Sequence, residues 1–153
     1  MAFRPATDSM KRFQNESQIH ELLDLFETAT ISRDRWKHAE HLTVALCYAS
    51  EMDVDAAVER MRLGIFKLLD AFGVDLTMEM PYHETLTVFW MRAVAEFNAS
   101  NSRTSLLDKA NDLVATYDKD YPLRFYSREY LFSDEARAKF IEGDLAAKAV
   151  DQR

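Results

Sequence analysis

Apolar residues recur along this chain at helical spacing. Ile19, Leu22, Leu23 and Phe26 form an i, i+3, i+4, i+7 stripe. Asn15 is placed to cap that helix at its N-terminus, with Gln18 three residues on to reach back. Ser32 or Asp34 is expected to cap a second helix running to about Ser50, with Leu42, Ala45, Leu46 and Ala49 on one face. Asp53 caps a third. Its stripe of Val54, Ala57, Val58, Met61, Ile65, Leu68, Leu69 and Phe72 ends at Gly73, where a residue with left-handed backbone closes a helix. Residues 74–81 read as a loop, and Pro81 is placed to open a fourth helix, over about 82–98, at its first turn. That helix carries Leu86, Phe89, Trp90, Val94 and Phe97. The β-branched start Thr85–Val88 also suits a strand, but length and spacing favour helix. A fifth, about 104–117, presents Leu106, Leu107, Ala110, Leu113, Val114 and Tyr117, and Ser133 caps a short last helix through Ile141.

The expectation is an all-α fold, a compact bundle of five to six helices. Residues 1–14 read as a flexible arm, 15–145 as a single helical domain and 146–153 as a frayed tail. Composition agrees. With only three glycines and three prolines in 153 residues, the chain lacks the turn residues that sandwiches, barrels and doubly wound sheets require. A formal net charge of −7 disfavours nucleic acid, and no strong basic patch offsets it. No apolar run reaches the ~18 residues of a membrane span, and one cysteine, Cys47, allows neither an internal disulfide nor a multi-cysteine zinc site. A reducing cytoplasm is the expected location.

The histidines carry the chemistry. His38 and His41 lie one helical turn apart, with Cβ atoms roughly 5–6 Å from each other. Each stands four residues before an apolar stripe position, so both point inward. Two stacked imidazoles disfavour double protonation, which a shared metal ion or a neighbouring carboxylate would relieve. His83, in the run Tyr82-His83-Glu84-Thr85, lines up with Leu86 and Trp90 and is a candidate third ligand. Glu84 could be a ligand or a general base on a bound water, and Glu21, Asp24 or Glu27 of the first helix could add an oxygen. Such a set suits one divalent transition metal, Zn, Fe or Mn. The same residues also make a metal-free polar pocket in which one histidine, with His83 a candidate, is the acid/base oriented by Glu84. Packed histidines bonded to a carboxylate, a carbonyl or a buried water need no metal at all. The pair lacks the glutamate that makes H-E-x-x-H specific.

A second group, Arg124, Tyr126, Ser127, Arg128 and Arg137, has the fork chemistry of an anion pocket. With Glu129, Asp134 and Glu135 nearby, salt bridges that dock the tail are the plainer reading. Cys47, mid-helix without a basic neighbour, reads as a buried inert thiol.

Three blocks then stand together: Trp36-Lys37-His38-Ala39-Glu40-His41-Leu42; Tyr82-His83-Glu84-Thr85-Leu86-Thr87-Val88-Phe89-Trp90; and Tyr126-Ser127 with Leu131-Phe132-Ser133 and Glu135-Ala136-Arg137. In these the chain resembles, from about Phe26 to Leu145, a family of small uncharacterised bacterial proteins with no established reaction. The resemblance implies that the histidine pair, the Tyr-His-Glu-Thr run and the tail block belong to one design. Here Met80 and Pro81 precede the tyrosine where the family pattern has a glycine, which bears on how the fourth helix starts.

The expected site is a pocket between the second and fourth helices, lined by His38, His41, His83 and Glu84 and closed by Trp36, Tyr82, Arg124 and Tyr126. Its expected function is that of a small-molecule enzyme or binding protein, with metal dependence as one version. The alternative is a non-catalytic helical protein whose histidines are packed and whose exposed faces serve dimerisation or partner binding.

Overall fold

A computed structural model describes residues 11–79, 81–101 and 104–145. Among these the fold is all-helical. Five long helices, α1 (Glu16–Glu27), α2 (His38–Ala49), α3 (Val54–Ala71), α4 (Glu84–Ser100) and α5 (Leu106–Thr116), are followed by a 3₁₀ turn at Tyr121–Arg124 and two short helices, α6 (Arg128–Leu131) and α7 (Asp134–Ala138).

Local cap chemistry sets most boundaries. Asn15 accepts from the Gln18 amide at 3.0 Å and Asp53 from the Ala56 amide at 2.8 Å. Ser105 and Ser133 do the same for α5 and α7. Gly73 has φ +81 and closes α3 with two reversed bonds, Gly73 N–H to Asp70 O and Val74 N–H to Leu69 O. Helix α1 ends in the same way on Ala29, whose φ of 57 places a side-chain-bearing residue where glycine is favoured.

Two helix starts differ from expectation. Helix α2 begins at His38, not after Ser32 or Asp34. Residues Ser32–Trp36 form a separate turn, with the Trp36 amide on Ser32 O, and Lys37 is extended. The reach-back comes from Glu40, which accepts from the Lys37 amide at 3.1 Å. Helix α4 begins at Glu84 with His83 as its cap, so Pro81 precedes the helix rather than opening it.

Helix α2 is central. It packs against α1, α3, α4 and α5, and Leu42 through Tyr48 are buried without a break. A helix enclosed on all sides needs apolar residues on all sides, so the single stripe expected for it is too narrow a description. Helices α1 and α3 are amphipathic and cover it. Phe26 of α1 is fully buried, and its ring fills the place that a Cβ on Gly64 of α3 would take, 2.4 Å away. A smaller second core of Tyr126, Leu131, Ala136 and Ile141 packs under Leu86 and Phe89 of α4.

The described part of the expected N-terminal arm is docked rather than loose. Phe13 is buried in the main core, its amide donates to Asn111 Oδ1 at 2.9 Å, and its carbonyl accepts from Asn111 Nδ2 at 3.0 Å. Arg12 pairs with the buried carboxylate of Glu40. One apolar side chain and a buried amide that matches both backbone groups are enough to hold the segment. Residues 1–10 and 146–153, to which the arm and the frayed tail were otherwise assigned, lie outside the described residues.

Two substitutions test the close fits. Ala29→Gly is expected to raise stability by roughly 1 kcal/mol by relieving the left-handed backbone. Gly64→Ala is expected to lower it by about 1–3 kcal/mol through overpacking on Phe26. Urea midpoints at unchanged slope read both; a Gly64→Ala protein as stable as the parent would mean Phe26 has room to move.

Candidate functional site

The first turn of α4 gathers more side-chain bonds than any element's local sequence demands. His83 accepts from the Leu86 amide at Nδ1, 3.2 Å, and bonds Leu131 O through Nε2 at 2.7 Å. A carbonyl can only accept, so Nε2 carries the proton and the ring is the neutral Nε2–H tautomer. Burial pushes its pKa below the usual histidine value, with the nearby Arg137 acting in the same sense. Both nitrogens are committed. His83 is therefore a helix cap and a tether to α6, with no lone pair left for the metal-ligand or acid/base role expected of it.

Glu84 faces α3. Arg62 grips it with both arms of its fork, Nε to Oε1 at 3.0 Å and an Nη to Oε2 at 2.6 Å, and the Tyr82 hydroxyl donates to Oε1 at 2.6 Å. Arg62 also pairs with Glu59 one turn back. The Arg62 fork holds the Glu84 carboxyl below the usual carboxylate range, against the opposing effect of burial, and the Tyr82 bond adds to it. Burial and donation to Glu84 push Tyr82 up to about 12. A carboxylate held ionised by three donors is a weak base, and a phenol raised this far is a weak acid at neutral pH.

Tyr82 and Glu84 open onto a groove of about 550 Å³ between α3, the start of α4 and α7. Its other walls are Phe66, whose ring is tilted against that of Tyr82 at 4.6 Å between ring centres, then Asp134, Arg137, Ala138, Lys139 and Phe140. Thr85 ties the residues that follow α7 to α4. Its hydroxyl donates to Lys139 O at 2.9 Å and accepts from the Ile141 amide at 3.1 Å, fixing the end of α7.

The histidine pair lies elsewhere. His38 donates through Nε2 to Tyr117 O at 2.9 Å, with its ring 5.0 Å from that of Trp90. His41 faces Trp36, which is stacked on Phe26 at 4.8 Å. Burial first, and then His38, push His41 down to about 4. Glu27, a candidate oxygen donor, accepts from the Tyr48 hydroxyl at 2.8 Å and from Arg60 at 3.2 Å. Glu21 lines a separate polar depression beside Arg12, Asp34 and Arg35. Asp24 contributes its backbone carbonyl to the end of α1, where Thr28 donates to it. Among the described residues, no three His, Cys, Asp or Glu side chains converge as a metal would require. The structure does not assemble His38, His41 and His83 into one ligand set.

The tail group also divides. Arg124 lies over the Tyr121 ring and Arg137 over Phe132, so these arginines meet aromatic faces. Neither they nor Arg128 forms an ion pair among the described residues. The docking bonds come instead from Ser127, whose amide and hydroxyl both reach Asp144 at 2.7 Å, and from the Tyr126 hydroxyl, which donates to Ile141 O. Tyr126 lines a small aromatic cavity of about 240 Å³ with Phe89, Tyr121, Phe125 and Phe140. Cys47 is buried and pushed up to about 12, chiefly by burial, as an inert thiol should be.

Sequence reasoning missed Arg62 and Phe66. Arg62 falls four residues after Val58 and three before Ile65, on the edge of the α3 stripe, and a cation at that position must find a carboxylate. No helix among the described residues is long and apolar enough to cross a membrane. Compared with known proteins, the chain matches no family model, no curated protein and no solved structure. Its function is read from its own geometry.

The His41 environment makes a pH prediction. An unfolded histidine titrates near 6.5 and the folded one near 4. Between those values the unfolded chain binds a proton that the folded chain refuses, so stability falls as pH drops through that window. His41→Gln is expected to flatten this part of the urea-midpoint profile, and an unchanged slope would place His41 in contact with bulk water.

Proposed function

We propose that this protein binds a small, partly apolar organic molecule in the groove between α3, the first turn of α4 and α7. The observation that carries the reading is the groove itself. Its volume of about 550 Å³ suits such a ligand, and Phe66, Tyr82, Ala138 and Phe140 give it apolar walls beside a few placed polar groups. The Arg62–Glu84–Tyr82 cluster supplies a rigid polar wall, because each group already holds another in place.

Binding is favoured over proton-transfer catalysis by the state of the titratable groups. Glu84 is held ionised, Tyr82 is held protonated and His83 has spent both nitrogens. A general acid or base works best with a pKa near the working pH, which Glu84 and Tyr82 do not have, and with a ring nitrogen to spare, which His83 does not have. Their role in this reading is to shape the site.

Ala138 offers a clean test, since it lines the groove yet is exposed on a short helix. Small organic acids, alcohols and amines would be screened by thermal shift and confirmed by calorimetry. A ligand at about 100 times its Kd is expected to add roughly 2.7 kcal/mol of stability. Ala138→Trp should leave the unliganded Tm in place and abolish that protection. Protection by no compound, or equal protection in Ala138→Trp, would overturn the groove as the binding site.

A further inference from the structure

Charge within the groove is unevenly satisfied. Its lining carries three cations, Arg62, Arg137 and Lys139, and two carboxylates, Glu84 and Asp134. Arg62 and Glu84 neutralise each other through a two-armed bond. Lys139 meets Glu135 at 3.4 Å in a pair exposed on both sides, a contact that water and salt weaken. Arg137 differs from both. It is half-buried, it rests on the face of Phe132 with 5.6 Å between guanidinium and ring centre, and no carboxylate pairs with it among the described residues. Its charge reaches the neutral ring of His83, which it helps to keep unprotonated.

Resting on the groove as a binding site, we infer that its ligand is an organic monocarboxylate, with the carboxylate on the Arg137 guanidinium and the apolar body against Phe66, Tyr82 and Phe140. The chemistry selects this class in three steps. A guanidinium presents paired N–H donors that match the two oxygens of a carboxylate, and Arg137, lying over Phe132, spends none of them on an ion pair among the described residues. Phe66, Tyr82, Ala138 and Phe140 form the apolar part of the lining, so a ligand body seated on them must be apolar to gain from leaving water. Glu84 is already neutralised by Arg62, and the three cations and two carboxylates of the lining leave one net positive charge, which a singly charged ligand matches. A dianionic phosphate would also lose more hydration on entering walls of this kind. One negative charge on an apolar body is the combination that these residues accept.

Matched compounds separate this inference from the reading it rests on. Short aryl- and alkyl-carboxylates, such as phenylpropanoate, would be titrated by calorimetry into the full chain beside alcohols and amines of the same skeleton. The acids are expected to bind about tenfold or more tightly than the alcohols, and the amines to bind most weakly. Arg137→Leu should remove the preference for acid over alcohol while leaving weak binding of both, and Arg137→Lys should restore part of it. Alcohols binding as tightly as acids, or an acid preference that survives in Arg137→Leu with an unchanged Tm, would overturn the carboxylate inference. The groove reading would then stand or fall separately on the Ala138→Trp comparison. Binding by amines alone would likewise reject the monocarboxylate and keep the groove.

Discussion

Three consecutive side chains at the start of α4 hold three different parts of the molecule, and the rest of the structure is arranged around them. His83 caps its own helix and reaches Leu131 on α6. Glu84 takes Arg62 from α3. Thr85 accepts from Ile141 and donates to Lys139 beyond α7. The physical constraint beneath this is the helix N-terminus, whose first amides lack partners within the helix. A serine or aspartate would satisfy one of them and end there. An imidazole that accepts at Nδ1 must carry its proton at Nε2, and a buried Nε2–H needs an acceptor of its own. Capping α4 with histidine therefore obliges another segment to bring a carbonyl, and Leu131 does so. Among the described residues after Thr116 there is no long helix with which to dock, so these backbone-directed bonds set their position over the small core of Tyr126, Leu131, Ala136 and Ile141.

The groove follows from that arrangement. Helix α3 is fixed against α1 by the seating of Phe26 at Gly64, and α7 is fixed against α4 by Thr85. Tyr82 and Glu84 open onto the space between them. Of the polar groups facing this space, Arg62, Glu84 and Tyr82 meet one another's hydrogen-bonding needs, which offsets the desolvation penalty of burying them. It also makes the wall stiff, because moving Glu84 would break bonds to both Arg62 and Tyr82. A preformed wall is an asset for recognition, since little ordering remains to be done when a ligand arrives.

What the sequence makes legible is what depends on neighbours in sequence. Asn15, Asp53, Gly73 and Ser133 work as caps because cap chemistry involves residues three or four positions away. The all-helical fold is legible for the same reason. The start of α2 is not, because whether Ser32 or Lys37 begins it is decided by Trp36 turning back onto Phe26, a contact across ten residues. His83 shows the limit most clearly. An imidazole can be ligand, base or cap, and the choice here rests on a carbonyl 48 residues away. The Tyr-His-Glu-Thr run marks an important place, but its chemistry is structural at His83 and electrostatic at Glu84. The pair His38 and His41 points inward as its spacing requires, and then meets Tyr117 and Trp36 instead of a third ligand. Phe13 escapes notice because an isolated aromatic residue in a polar stretch has no periodicity to betray it.

Net charge is a poor guide to what this groove can hold. A chain with formal charge −7 repels anions as a whole, which taken alone argues against an acidic ligand. At physiological ionic strength, however, exposed charges lose most of their influence beyond about 8 Å. What a ligand meets in the groove is the local set, and there Glu84 is already neutralised by Arg62 while Arg137 keeps an open charge beside aromatic walls. Low-dielectric walls strengthen that one interaction and weaken nothing in its favour, because the acidic residues responsible for the net charge are spread over solvated helix faces. The distant charges slow the encounter with an anion without setting its affinity. Selectivity is thereby left to the single guanidinium and the shape around it.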